Sequence, residues 1–246
     1  KNLRNYLSTQ EFSYITDLLK NVDSKKNLLV FELSSKKKVI LVSIKNDLKN
    51  SDIENLGAEF YKKINLGKST DYNLISDSVS GSHKNFLSFF IHGLKLKSYE
   101  FKKYKTKKET RIIEINIIGE KNKPTHSDQL KFKALEEGTF FARDLVSEPG
   151  NILHPDEYAK RLTQLKKIGL KVAVYNEKQL KKMGCNALVG VGQGSIRGSY
   201  LVTLEWRGKK SNTKPLAFVG KGVCFDTGGI SLKPAKFMED MTYDMA

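Results

Sequence analysis

The sequence predicts an α/β protein of two parts, and three observations indicate this class. Short aliphatic runs alternate with segments of helical periodicity along the whole 246 residues, as they do in α/β folds. Hydrophobic residues make up 39% of the chain and there are only 5 prolines, so the composition is that of a packed protein. A continuous helical stretch, residues 125–146, divides the chain. We therefore predict an N-terminal α/β domain over residues 1–124, a linking helix over residues 125–147, and the start of a doubly wound α/β domain over residues 148–246.

The first part contains alternating strands and helices. Residues 28–33 (LLVFEL) and 39–44 (VILVSI) are aliphatic, β-branched runs separated by the turn-like SSKKK, so we expect two strands. Residues 51–64 predict a helix, because apolar residues recur there at spacings of three and four. These apolar residues are Ile53, Leu56, Phe60 and Ile64. The strongly apolar residues 85–96 fit either a helix or a buried strand, and residues 112–119 (IIEINIIG) predict the last strand of this part.

The second part repeats the alternation after a break at Pro149–Gly150, a pair of residues that ends helices. Residues 154–169 predict a helix with Pro155 near its start and Gly169 at its end, as helix termini prefer. Further strands and a short helix follow. We expect strands over residues 170–176, 199–206 and 215–223, and a helix over residues 177–184.

The chain is strongly basic, with a formal net charge of +16 and a local excess in residues 95–111 (KLKSYEFKKYKTKKETR). A basic surface attracts phosphates, and the aromatic side chains of Tyr99, Phe101 and Tyr104 can stack on bases. The alternative interpretation is a lysine-rich solvated surface, because charge bears on association and not on function. We keep nucleic-acid binding as a second hypothesis.

Other features of the composition indicate the compartment. Two cysteines, Cys185 and Cys224, cannot form a disulfide framework, so a reducing compartment is expected. The first residues contain no apolar stretch of signal-peptide length, and no later run approaches the roughly 18 apolar residues of a membrane span. We therefore expect a soluble, cytoplasmic protein without membrane partners. Because the chain starts at Lys1 and stops within a motif at Ala246, we also expect a fragment of a longer protein.

The C-terminal segment, residues 215–246, carries the densest set of chemically useful side chains. Lys221 interrupts the apolar run VGKGV, so we expect it at the carboxyl end of a buried strand, the edge where open α/β sheets place their sites. Burial lowers the pKa of a lysine, and a neutral amine can bind a metal. Asp226 is an anionic neighbour that would share this metal, and the DTGG turn allows close approach of the backbone. The alternative is a set of surface charges beside a turn.

The same segment, VGKGVCFDTGGISLKPAKFMEDMTYDMA, closely resembles the strand–turn–helix motif of the cytosolic leucine aminopeptidase family, whose members are hexameric, two-metal aminopeptidases. The pattern there is VGKGxxFDxGGxxxKP, followed by a methionine-containing segment that leads to a metal-binding aspartate. The upstream ARDLVSEPGNILHPDEYA, the run GCNALVGVGQGS and the strand ending at Trp206 also look like this family. The resemblance is strong from about Phe141 onward. It is weak before that point, where the family has a variable N-terminal α/β (macro-like) domain.

The resemblance implies a role for each matching residue. Lys221 and Asp244 look like ligands of the tightly held metal, and Asp226 looks like a carboxylate that bridges both metals. Lys233 resembles the catalytic lysine, which polarises the scissile carbonyl and stabilises its oxyanion. Met241 matches a residue that lines the pocket for the first side chain of the substrate. All five residues are therefore expected to take part in substrate binding.

These assignments imply a metal-dependent aminopeptidase that releases N-terminal amino acids, leucine and similar residues, from peptides with a free N-terminus. The implied cofactors are two divalent ions per subunit, Mn²⁺ or Zn²⁺, because oxygen ligands with one amine suit such cations. The resemblance also implies a homohexamer and bicarbonate for the full-length protein. The remaining acidic ligands and the bicarbonate-binding arginine of the family lie in an NTDAEGR-type motif beyond Ala246, so we expect the fragment to be inactive alone. A DNA-binding or recombination-accessory role is the runner-up, and a degenerate, non-catalytic homologue is the third possibility.

Overall fold

The structure is a computed structural model that describes residues 2–22, 26–45, 47–67, 70–79, 83, 85–107, 111–208 and 214–246. It has mixed α/β content, and the chain divides into two compact units, Lys1–Phe140 and Phe141–Ala246. One helix of 22 residues, α4 (His126–Ser147), contains the point of division. The helix predicted over residues 125–146 is therefore confirmed, whereas the predicted domain boundaries stay a prediction. Among the described residues, no helix is both long and apolar enough to cross a membrane.

Three helices and four strands precede α4 in the described part of the first unit. They are α1 (Thr9–Leu19), β1 (Leu28–Glu32), β2 (Lys38–Val42), α2 (Asn50–Asn65), β3 (Asp71–Ile75), α3 (Phe86–Ser98) and β4 (Glu114–Ile118). Short 3-10 helices cover Asn2–Asn5 and Ser76–Ser78. The strands β1 and β2 form an antiparallel pair, and β3 and β4 form a parallel pair. The predicted strands at 28–33, 39–44 and 112–119 and the helix at 51–64 are confirmed, and the ambiguous residues 85–96 are helical.

Helices α2 and α3 cross at very close range and form the core of the first unit. Their buried apolar side chains are Ile53, Leu56, Phe60, Ile64, Phe86, Leu87, Phe90 and Leu94. A Cβ on Gly57 would lie 1.9 Å from the carbonyl oxygen of Phe90, and a Cβ on Gly93 would lie 1.9 Å from that of Glu54. Both glycines are therefore required because the two helix backbones touch there.

A buried polar contact joins α3 to the first part of α4. Nδ1 of His92 lies 3.1 Å from Oε1 of Glu136, and Nζ of Lys95 lies 3.1 Å from Oε2 of the same carboxylate. His92 and Glu136 are both buried, and the His92 ring packs on the ring of Phe132. A buried carboxylate needs such partners, because its removal from water otherwise costs free energy.

The described part of the second unit is built from shorter elements. They are α5 (Pro155–Thr163), β5 (Lys171–Tyr175), α6 (Glu177–Lys182), α7 (Asn186–Val191) and β6 (Leu201–Glu205), with 3-10 helices at Gln164–Ile168 and Met238–Asp244. The predicted strands at 170–176 and 199–206 and the helices at 154–169 and 177–184 are confirmed, although the last turns of the longer helix are 3-10. Strands β5 and β6 are antiparallel, so this pair does not show the parallel pairing of a doubly wound sheet.

The strand predicted over residues 215–223 is wrong, because residues 214–228 contain neither helix nor strand. Phe218 and Val219 are 88% and 99% exposed. Aromatic and β-branched residues favour a strand where neighbouring strands and a packed face cover them, and no described strand pairs with this segment. Lys221 is likewise exposed, so its expected position at the end of a buried strand is also wrong.

Candidate metal centre

The loop over residues 226–233 brings two of the predicted site residues together. Nζ of Lys233 lies 3.6 Å from Oδ2 of Asp226, and the amide of Gly228 donates to Oδ1 over 2.9 Å. The amide of Lys233 donates to the carbonyl oxygen of Thr227 over 2.9 Å and closes the turn. Gly228 has a φ of +110°, and a Cβ there would lie 2.3 Å from a backbone oxygen. The DTGG sequence therefore forms the sharp turn that its glycines predict.

The carboxylate of Asp226 is held in its ionised form. Its pKa is lowered chiefly because the amide of Gly228 donates to the charged oxygen, and the positive charges of Lys233 and Lys221 act in the same direction,. Partial burial opposes these effects. Lys221 therefore lies close enough to act on Asp226 electrostatically. An ionised carboxylate is the state that binds a cation.

The 3-10 helix Met238–Asp244 carries the two other predicted residues, Met241 and Asp244. Met241 is half-buried and Asp244 is exposed. The amide of Ala246 donates to the carbonyl oxygen of Val223 over 2.9 Å. This hydrogen bond ties the helix to the segment that leads into the DTGG turn, so all five predicted residues lie on two connected segments.

An apolar cluster packs against both segments. Its members are Leu145, Leu153 and Met245, with Phe141, Tyr158 and Phe225 packed around them. Phe225 and Met245 are the direct sequence neighbours of the predicted ligands Asp226 and Asp244. A Cβ on Gly150 would lie 2.7 Å from Cβ of Phe225, so the turn after α4 needs a residue without a side chain. The sequence analysis assigns no role to this cluster, although an apolar residue adjoins an acid in both segments.

Tyr158 of α5 contacts a third segment of the site. A Cβ on Gly222, the residue after Lys221, would lie 2.9 Å from Cε1 of Tyr158. Burial raises the pKa of the Tyr158 hydroxyl, and Cys224 adds to this effect. Burial also raises the pKa of the Cys224 thiol to about 11, with a smaller contribution from the charge of Asp156. The thiol is therefore protonated at neutral pH and serves as a small packing residue.

A buried ion pair fixes the turn that carries Gly150. Oε1 of Glu148 accepts from Nη1 of Arg161 over 2.7 Å, and Nε of Arg161 donates to Oε1 of Glu157 over 3.0 Å. The pKa of Glu157 is lowered chiefly because Arg161 donates to its carboxylate,. The end of α4 and the start of α5 are thus held together by one guanidinium.

The donors in this region fit divalent cations. The carboxylates of Asp226 and Asp244 and the amine of Lys221 are ligand types that Mn²⁺ and Zn²⁺ accept. The described ranges contain no group of three or more His, Cys, Asp and Glu side chains able to hold a metal, and a set of two acids and one lysine does not require such a group. The Asp226 side chain is 58% exposed, so it is accessible to a cation.

Comparison with known proteins identifies the family. Residues 140–246 match the sequence profile of the catalytic domain of the cytosol aminopeptidase family. The chain is 38% identical over 227 residues to a probable cytosol aminopeptidase of Brucella anthropi, and the alignment covers 85% of this chain. The chain belongs to the cytosol aminopeptidase family. The resemblance predicted from the C-terminal motif is thus confirmed.

Further members of the cytosol aminopeptidase family show the same relationship. A probable cytosol aminopeptidase of Brucella melitensis is 41% identical over 218 residues, which is 85% of this chain. One from Phytoplasma australiense is 48% identical over 159 residues, or 64% of this chain. The three alignments cover 43%, 44% and 32% of the relatives, so the chain spans less than half of their length.

Two solved structures share the fold. The bottromycin maturation enzyme BotP in complex with Mn matches with a TM-score of 0.68 at 24% identity, over 89% of this chain and 47% of that chain. A second BotP structure gives a TM-score of 0.67 at 23% identity, over 88% and 48%. The chain therefore has the fold of the corresponding part of BotP.

Proposed function

We propose that the whole protein is a metal-dependent aminopeptidase that releases N-terminal amino acids, leucine and similar residues, from peptides. The observation that carries the proposal is the pair in the DTGG turn, where the ammonium of Lys233 lies 3.6 Å from the ionised carboxylate of Asp226. This pair belongs to the part of the chain that matches a peptidase catalytic domain. It offers a cation ligand beside a group that can stabilise an oxyanion.

Two divalent ions, Mn²⁺ or Zn²⁺, are the proposed cofactors. Lys221 and Asp244 would hold the tighter ion, and Asp226 would be a ligand of both. A divalent ion bound here supplies Lewis acidity toward the scissile carbonyl and lowers the pKa of a water molecule. The description of one BotP structure names Mn, which supports the use of a divalent cation in this fold.

Lys233 is the proposed catalytic residue. Its ammonium would donate to the carbonyl oxygen of the peptide as negative charge develops there, so it would stabilise the transition state more than the bound substrate. The hydrogen bond from its backbone to Thr227 and the contact with Asp226 restrict where the ammonium can lie. Met241 is the proposed wall of the pocket for the first side chain. The proposed substrate-binding set is Lys221, Asp226, Lys233, Met241 and Asp244.

Family membership supports further proposals about the whole protein. We propose a cytoplasmic homohexamer that uses bicarbonate as a base. Its catalytic domain would begin near residue 148, after an α/β (macro-like) domain over residues 1–124 and the linking helix. Lys221, Asp226 and Asp244 supply only part of the ligands that two metals need, so we expect the 246-residue chain to be inactive by itself.

An aminopeptidase assay on the whole protein tests the proposed activity. The metal is removed with a chelator, Mn²⁺ or Zn²⁺ is restored, and the hydrolysis of leucine p-nitroanilide is compared with that of its N-acetylated form. We expect hydrolysis that requires added metal and a free α-amine, because the amine is the group that an exopeptidase of this kind must recognise. Hydrolysis without metal, or equal rates on both compounds, would contradict the proposal.

DNA binding by the basic first half is the second candidate function, and it receives less support. The ring of Tyr99 packs on a phenylalanine of α4, and Phe101 contacts Tyr104, so these rings are partly engaged within the protein. Residues 108–110 of the basic run lie outside the described residues. Filter binding across a range of salt concentrations tests this function, since DNA binding through phosphates weakens steeply with salt. Weak binding without a salt dependence would exclude it.

A further inference from the structure

We infer that α5 and the turn at Pro149–Gly150 position the metal ligands through the apolar cluster defined above. Tyr158 and Gly150 are then positioning residues of the proposed centre, although neither is expected to touch a metal or the substrate. The inference rests on the proposed function. It is carried by one regularity: each of the three predicted ligands has a direct sequence neighbour that packs on this cluster or on Tyr158.

The two acidic ligands are each joined to a neighbour in the cluster. Phe225 and Met245 both pack there, and Met245 is 1% exposed, whereas Asp226 and Asp244 are exposed. Because consecutive Cα atoms are fixed at about 3.8 Å, a packed neighbour limits where each acid can move. A backbone hydrogen bond of 2.9 Å joins the two segments, so the cluster sets the position of both acids together.

The lysine ligand follows the same rule. Gly222 adjoins Lys221, and a Cβ on Gly222 would lie 2.9 Å from Cε1 of Tyr158, so the tyrosine ring covers the backbone at this point. Elsewhere in the cluster, Gly150 leaves the space into which Phe225 packs, with 2.7 Å between a Cβ at residue 150 and Cβ of Phe225. Both contacts depend on a glycine, so both would be disturbed by a single added methyl group.

The positions of such supporting residues determine how tightly a metal is held. Replacing groups that orient the ligands of a metal typically weakens metal binding 10–100-fold. A cluster with only a structural role would behave differently, because truncating it would lower stability and leave the metal affinity of the folded protein unchanged. Metal affinity and stability, measured on the same variants, therefore separate the two roles.

The probe is Mn²⁺ alone, titrated into the metal-free whole protein while free Mn²⁺ is followed by electron paramagnetic resonance, with thermal unfolding of the same samples. Tyr158→Ala is expected to weaken Mn²⁺ binding about 10–100-fold, and Tyr158→Phe, which keeps the ring, should bind within about threefold of the unmodified protein. Leu180→Ala is the matched control, because Leu180 is fully buried in α6 outside the cluster. It should lower the unfolding temperature without weakening Mn²⁺ binding.

A second pair of variants keeps the test decisive if Tyr158→Ala does not fold. Gly150→Ala should weaken Mn²⁺ binding, whereas Gly190→Ala, where a Cβ meets nothing within 4 Å, should not. Folded Tyr158→Ala or Gly150→Ala that binds Mn²⁺ within about threefold of the unmodified protein would overturn the positioning role alone. An unmodified protein that binds neither Mn²⁺ nor Zn²⁺ would instead overturn the proposed metal centre, and this inference with it.

Discussion

Nη1 of Arg161 donates to Oε1 of Glu148 over 2.7 Å, and this ion pair spans the turn between α4 and α5. The carboxylate is 1% exposed and the guanidinium 14%, so water and salt screen the pair far less than a surface pair. The pair keeps α5 beside the turn that carries Gly150, and both of these elements support the proposed metal centre.

Arg161→Met should therefore be strongly destabilising. It leaves the Glu148 carboxylate buried without the guanidinium, and breaking a buried pair in this way costs about 3–5 kcal/mol. Lys160→Met is the matched control, because Lys160 lies 3.2 Å from Glu157 but is 73% exposed. Loss of that surface pair should cost less than about 1 kcal/mol. Urea unfolding measures both variants, and similar losses for the two would contradict this account of the buried pair.

Gly57→Ala should weaken the contact between α2 and α3. The added Cβ would lie 1.9 Å from the carbonyl oxygen of Phe90, and a backbone atom can yield only if the helices separate. We expect a loss of about 3 kcal/mol in the free energy of unfolding. Gly138→Ala is the control, because nothing lies within 4 Å of a Cβ at this exposed position in α4. It should stabilise the protein by up to about 1 kcal/mol, so a stabilising Gly57→Ala would show that the helices are not in contact there.

Asp77 should make the stability of the first unit depend on pH. Its Oδ1 accepts from the amides of Lys121 over 2.6 Å and Glu120 over 2.8 Å, and its pKa is lowered chiefly by the Lys121 amide. A carboxyl group with a lowered pKa stabilises the folded state above its ordinary pKa of 3.8 and loses this effect as the pH falls through the lowered value. Asp77→Asn should therefore lower the thermal midpoint at neutral pH, by an amount that shrinks below pH 3.8. A constant difference across this range would contradict the prediction.

Asp226→Asn should remove the proposed shared ligand of the two metals in the whole protein. An amide has neither the charge nor the two equivalent oxygens of a carboxylate, so metal content and activity should both fall while the fold persists. Atomic emission of the purified variant gives the metal content, and circular dichroism gives the fold. A variant that keeps two metals per subunit, with activity within about tenfold of the unmodified enzyme, would show that the bridging role is wrong.

Lys233→Ala separates a catalytic role from a ligand role. Loss of one oxyanion donor typically lowers kcat by about 10²–10³, whereas metal content should not change because Lys233 is not a proposed ligand. Lys221→Ala is the matched comparison and should lose metal. The alternative is that Lys233 is a solvated loop residue, and a kcat within about threefold of the unmodified enzyme would decide for that alternative.

The elements that the sequence predicts are those whose apolar residues are covered locally. Ile53, Leu56, Phe60 and Ile64 recur with helical periodicity and are all buried in α2, so the pattern and the fold agree. The sequence does not predict β3 (DYNLI), because Asp and Asn are poor strand formers. This strand forms through its parallel pairing with β4, which is a distant part of the chain.

The site divides in the same way. Asp226 and Lys233 are linked by a short glycine turn, so the motif alone indicates that they lie close together. The contact of Tyr158 with Gly222 joins positions far apart in sequence, and nothing in either local pattern indicates it. The predicted strand at 215–223 fails for a related reason, because its apolar composition indicates cover that the described residues do not provide.

The uncovered segment of residues 214–232 also governs how this chain behaves in concentrated solution. Its bare side chains, such as Phe218 and Ile230, attract those of other molecules, while a net charge of +16 keeps the molecules apart. That repulsion acts over about 10 Å at 0.1 M salt and about 3 Å at 1 M, whereas hydrophobic attraction does not weaken with added salt. Colloidal stability should therefore be greatest at low ionic strength, and salting-out should begin at unusually modest salt concentrations.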